Sequence, residues 1–221
     1  RLDRLGDIVK HRIEHLTEYQ NAALARRYQT LVARVHAAEE PLLSGHTELS
    51  KSVARNYARL LSYKDEYEVA RLITDGRYRQ SLENRFEGDY TLEFHLAPPV
   101  FARTDPNTGH LIKQRYGPWM MRAFHVLAKL RVLRNTPLDF FGYAAERQAE
   151  RALIEQYEST VDQLLAELSP RNHDIAVEIA ALPQSVRGYG HVKEANLVSA
   201  RERLAELMAA FHNPPSLARA A

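Results

Sequence analysis

RNYARLLSYKDEYEVARLITDG, residues 55–76, decides how this chain is read. Its spacing predicts helix, yet its charges do not sort onto one face. Lys64, Asp65, Glu66 and Glu68 lie among Tyr57, Tyr63 and Tyr67, with Arg71 and Asp75 close behind. A surface helix separates apolar from charged positions with a period of about 3.6 residues. Interleaved charge and aromatic edge therefore predict partners for the charges. The expectation is a structural ion-pair network of Lys64, Asp65, Glu66 and Arg71 that fixes the register between helices. General acid or base chemistry is the alternative use of the same groups.

Outward from this stretch, the pattern is mostly helical. Thr47 is placed to cap a helix that runs on to about Thr74, and Asp75-Gly76 stops it. A short helix follows to Glu87, ended by Gly88. Upstream, Leu2, Leu5, Val9, Ile13 and Leu16 step by three and four, and Leu24, Tyr28, Leu31 and Val35 resume the stripe. That predicts one amphipathic helix of about ten turns, an arm for a neighbouring domain or subunit. Glu39–His46 reads as a loop.

Between Tyr90 and Leu96, apolar residues alternate with Thr91, Glu93 and His95, which predicts a strand with one buried face. Segments 100–103 and 111–116 flank Asp105-Pro106-Asn107-Thr108-Gly109, a turn suited to a hairpin. Helices are then expected over Trp119–Leu133, Tyr143–Leu168, from Ser169-Pro170 to near Leu182-Pro183, and over His191–Phe211. The fold class is α+β, mostly α: a bundle of long helices with a small antiparallel sheet of two or three strands, at about residues 90–116. The expected organisation is a helical arm and loop over 1–46, an accessory domain over 47–212, and a frayed tail over 213–221.

Composition narrows the function. The chain has 221 residues, a formal net charge of +2 and no cysteine. The charge balance argues against general nucleic-acid or membrane binding, which goes with a concentrated basic excess. Without cysteine there are no disulfides, no Cys-ligated zinc or iron–sulfur cluster and no thiol nucleophile. No apolar run approaches about 18 residues, and a cytoplasmic protein is expected. The chain opens at Arg1 already in helical pattern, which is expected of a domain cut from a longer polypeptide.

Three further patterns bear on chemistry. His11-Arg12-Ile13-Glu14-His15 matches the inverted zinc-protease motif, but both histidines lie off the apolar stripe and a third ligand is needed, so a solvated face is expected and no metal site. Arg187, Gly188, Gly190, His191 and Lys193 make an anion-binding candidate. Its glycines permit close backbone approach, and the following helix offers free N–H groups. An ordinary interhelix turn is the competing reading. Arg115, Arg122, Lys129, Arg131 and Arg134 form a loose basic band around the Trp119 helix, able to meet an acidic partner or simply face solvent. His95 and His125 are isolated and are expected to serve packing.

Four blocks carry a likeness: ARNYARLLSYKDEYEVARLITDG (54–76), FEGDYTLEFHLAPP (86–99), YGPWMMRAF (116–124) and RGYGHVKEAN (187–196). In order and spacing they resemble the C-terminal region of the fused indolepyruvate ferredoxin oxidoreductases, of the 2-oxoacid:ferredoxin oxidoreductase family, over most of residues 50–212. The resemblance implies a parent enzyme that decarboxylates aryl-2-oxoacids to acyl-CoA with thiamine diphosphate, Mg and iron–sulfur clusters, passing electrons to ferredoxin as a homo-oligomer. This chain lacks cysteines and lacks the Gly-Asp-Gly pattern of thiamine diphosphate sites, since Gly88-Asp89-Tyr90 is not that pattern. None of the family's catalytic residues map onto it. The expectation is a non-catalytic accessory domain that packs on other domains of the same polypeptide. The alternative is a module binding an anion, CoA or a substrate carboxylate at residues 187–193.

Overall fold

In a computed structural model, the described residues are 3–88, 90–96, 103–104, 111–186 and 191–214. They form a mostly helical fold with small antiparallel ladders, as the periodicities predict. The chain divides into two compact units, residues 1–63 with 150–221 and residues 64–149. The dividing point between Tyr63 and Lys64 falls within residues 55–76.

The first unit is built from helices. The stripe expected to make one ten-turn helix is two helices, α1 (Leu5–Tyr19) and α2 (Ala22–Glu39). The break has a local cause: Asn21 is extended, and its side chain accepts a hydrogen bond from the Leu24 amide at 3.0 Å. An N-cap of this kind satisfies a backbone donor that the start of a helix leaves free. The chain turns there, and both stripes pack into a core shared with α3 (Glu48–Leu61). Leu16, Tyr28, Val35 and Tyr57 are fully buried in it. The part of α7 (Ala145–Glu167) beyond Ala149, with α8 (His173–Ala181) and α9 (His191–His212), completes the unit.

Three tyrosines tie α2, α3 and α7 together. Tyr57 stacks on Tyr28 with ring centroids 6.1 Å apart and on Tyr157 at 6.0 Å. Aromatic pairs at such separations add about 0.5–1.5 kcal/mol each beyond the area they bury. Their hydroxyls are satisfied. Tyr28 donates to the Ala54 carbonyl, Tyr157 to the Ala180 carbonyl and Tyr57 to the Glu158 carboxylate. Arg27 holds the same carboxylate through two bonds of 2.7 and 2.8 Å.

The second unit has a smaller core. The helix expected from Thr47 to Thr74 is interrupted at residues 62–65, and α4 (Glu66–Thr74) starts anew with Asp65 as its cap. Gly76, with φ of 80°, then turns the chain into α5 (Arg77–Glu83). Only Gly adopts that region without a steric penalty. Strand β1 is limited to Phe94–Leu96 and pairs antiparallel with β4 (Gln114–Tyr116), Phe94 opposite Tyr116. A second ladder joins β2 (Arg103–Thr104) to β3 (Leu111–Ile112). The predicted alternation holds from Leu92 to Leu96, with Phe94 buried, whereas Tyr90 is exposed. The Pro98-Pro99 pair and the turn at 105–109 lie outside the described residues.

Helix α6 (Met120–Lys129) continues as a 3-10 turn over Leu130–Leu133. It sets Phe124 edge-on to Phe94, with centroids 5.1 Å apart. Phe94, Phe124, Ala70 and Ala128 are the buried centre of this unit. No helix among the described residues is long and apolar enough to cross a membrane.

Candidate functional site

The charges of residues 64–71 resolve into separate pairs. Asp65 accepts the Glu68 amide at 2.8 Å, which caps α4, and its carboxylate also receives Nε and Nη2 of Arg134 at 2.6 and 2.8 Å. Both side chains are almost wholly buried. The two-pronged guanidinium matches a carboxylate in geometry as a lysine would not. The Arg134 guanidinium also lies over the Tyr67 ring, 5.6 Å from its centroid. Tyr67 donates to Asp139 Oδ1 at 3.2 Å, and Asp139 in turn accepts the amides of Asn135 and Gly142.

Arg71 pairs with Glu68 through two bonds of 2.8 Å. Glu66 faces Arg147 at 3.6 Å, and its Oε2 is buried without a hydrogen bond. Burial pushes the Glu66 carboxyl above its usual pKa, against the opposing pull of its own backbone and Arg147. Lys64 is exposed and forms no ion pair among the described residues. Of the expected network, then, Asp65, Glu66 and Arg71 are paired through Arg134, Arg147 and Glu68, and Lys64 stands apart. Arg134, read from sequence as part of a surface band, is instead a buried residue.

A second buried constellation was not foreseen. Glu39, placed by sequence in a loop, is the last residue of α2 and has no exposed surface. Its carboxylate accepts the amides of Leu49 and Ser50, each at 2.9 Å, and the Ser50 hydroxyl. His173 Nε2 lies 2.8 Å from its other flank. Thr47 was expected to cap α3, but its side chain makes no capping bond; Glu39, ten residues upstream of Leu49, does so. Burial raises the Glu39 pKa, yet the bonds from Ser50, His173 and Leu49 outweigh it and hold the carboxyl below its usual value. Ser, Glu and His here do not make a nucleophilic triad. Ser50 donates to the carboxylate and not to the imidazole, and it is fully buried.

His11 is exposed, while His15 is half-buried with its ring 6.4 Å from Tyr19. Among the described residues no three His, Cys, Asp or Glu side chains cluster as metal ligands. His95 is exposed, and His125 Nδ1 lies 2.8 Å from the Met121 carbonyl on its own helix. Of the anion candidate, Arg187, Gly188 and Gly190 lie outside the described residues, as do the side chains of His191 and Lys193; the backbone from His191 is the first turn of α9. The concavity edged by Arg26, Gln29, Arg34 and Ala37 lies along a single helix, α2, and is open.

In each unit buried charges cap helices and join them, Glu39 with His173 in the first and Asp65 with Arg134 in the second. The chain belongs to a family of unknown function (DUF6537), which matches residues 5–206. No curated protein and no solved structure matches it. The oxidoreductase, iron–sulfur and thiamine diphosphate attributes drawn from the sequence resemblance are thereby corrected. The family that matches carries no assigned reaction. The chain also has no cysteine, and its described residues hold no metal-ligand cluster.

Proposed function

We propose that this chain is a non-catalytic accessory domain of a larger enzyme, of the kind whose C-terminal region its four blocks resemble, the fused indolepyruvate ferredoxin oxidoreductases. No redox step or cofactor is assigned to the chain itself. The observation that carries the proposal is the incompletely buried second unit. All of the exposed large hydrophobics among the described residues except Leu42 and Val198 belong to residues 64–149. This concentration of exposed apolar side chains in one unit supports reading it as an interaction surface. Its partners are other domains of the same polypeptide or subunits of a homo-oligomer, and a cytoplasmic setting is proposed with them, supported by the lack of a long apolar run among the described residues.

Assaying the isolated 221 residues for arylpyruvate decarboxylation tests this, and turnover would overturn it. Calorimetric titration with CoA and aryl-pyruvates separates the competing reading. Binding that disappears in Lys193→Ala would make the chain an anion-binding module instead.

A further inference from the structure

Trp119, Ala123, Val126 and Leu130 follow one another at spacings of four, three and four residues, and all four are exposed. On a helix such spacing makes a single seam, the pattern with which one helix receives the knobs of another. The opposite face of α6 is already used, with Phe124 and Ala128 buried in the core of the second unit. Trp119 and Val126 each keep 60 % of their surface exposed, and small Ala123 leaves a hole between them.

Charge identifies what would cover the seam. Residues 111–138 contain no Asp or Glu, and carry Lys113, Arg115, Arg122, Lys129, Arg131 and Arg134. Arg115 is paired with Glu93 and Arg134 with Asp65. Arg122 and Lys129 are exposed and form no ion pair among the described residues. Seven residues apart, they border the seam on one side. We infer that α6 is a docking seam for an amphipathic helix of another domain or polypeptide, one whose apolar stripe is flanked by Asp and Glu. A second copy of this seam is a poor occupant, because it brings Arg122 and Lys129 against like charges. The inference deepens the accessory-domain reading by naming the face and the chemistry of its partner.

Trp119 is the single tryptophan of the chain, so its fluorescence reports on the seam alone. The probe is a designed helical peptide of about three heptads with Leu at the a and d positions and Glu at the flanking e and g positions. Titrated into the full chain, it is expected to give a saturable blue shift that weakens with salt. Val126→Glu, at an exposed position, should weaken binding by about tenfold or more. Arg122→Glu with Lys129→Glu should transfer the preference to a Lys-flanked peptide, with circular dichroism confirming the fold of both variants. Several results would overturn the inference. These are no shift with the Glu-flanked peptide, equal response to the Lys-flanked one, and stronger response to phosphatidylserine vesicles. A blue shift of the chain alone would do so too, whether it grows with protein concentration or not. Failure here would leave the accessory-domain reading standing, since the activity assay tests that separately.

Discussion

Arg134 and Asp65, 69 residues apart in sequence, meet in a buried two-pronged ion pair that joins the start of α4 to the turn following α6. Both charges have left water, so their attraction has to offset a desolvation cost of several kcal/mol per ion. The bond from the Glu68 amide and the Tyr67 ring beneath the guanidinium supply the added contacts that such a pair requires.

Removing one partner strands the other. Arg134→Met is expected to destabilise residues 64–149 by about 3–5 kcal/mol. The double variant Asp65→Asn/Arg134→Met should cost less than the sum of the two single changes, because no charge is left unpaired. Denaturant titrations with hydrogen exchange resolved over residues 64–149 measure both, and strict additivity would count against the pairing.

Glu39 contributes to the acid sensitivity of the first unit, alongside Glu158, whose carboxyl is raised by burial but also held down by Arg27 and Tyr57. The folded-state pKa of Glu39 lies below the usual carboxylate value. The stabilisation is therefore complete above the unfolded value of about 4.3 and is lost as pH falls through the lower, folded value. Glu39→Gln should flatten this limb and cost about 1–3 kcal/mol at neutral pH, since its amide cannot accept from every donor around it. Acid titrations followed by circular dichroism give the slopes; an unchanged limb in the variant would assign it to other carboxylates.

At Tyr57, hydroxyl and ring can be separated. Tyr57→Phe keeps both stacks and loses the bond to Glu158, with an expected cost of about 1–2 kcal/mol. Tyr57→Ala opens a cavity among α2, α3 and α7 and should cost about 3–5 kcal/mol. Equal losses in thermal denaturation would mean the stack contributes nothing.

Asn135 has a φ of 63°, and it is the only non-glycine among the described residues in that region. Its amide donates to Asp139, next to the buried Arg134. Asn135→Gly should be tolerated within about 0.5 kcal/mol, whereas Asn135→Val should cost about 1–2 kcal/mol through its Cβ and branched side chain. Comparable stability of the two variants would contradict the backbone geometry.

Helical periodicity made α6, α7 and α9 legible to within a few residues, and the alternation from Leu92 to Leu96 located β1. The break between α1 and α2 carried a local signal, an asparagine before an apolar run, which the continuous stripe overrode. Asp65 carried the same kind of signal as a capping residue. The identity of its partner had none, because Arg134 looks in sequence like any other member of a basic band. Glu39 was illegible for the same reason: its ligands are amides of the next helix and a histidine 134 residues away.

By itself, the sequence determined what depends on near neighbours: the mostly helical class, the short antiparallel pairing and the absence of any thiol chemistry. It also pointed to partners for the charges of residues 64–71, which Asp65, Glu66, Glu68 and Arg71 found and Lys64 did not among the described residues. Which partners they found, and which apolar face stayed bare, was decided only by tertiary structure. Burial and ion pairing are properties of residues brought together from distant parts of the chain. Arg134 went into the core while Arg122, twelve positions earlier on the same surface-like pattern, remained outside beside Trp119.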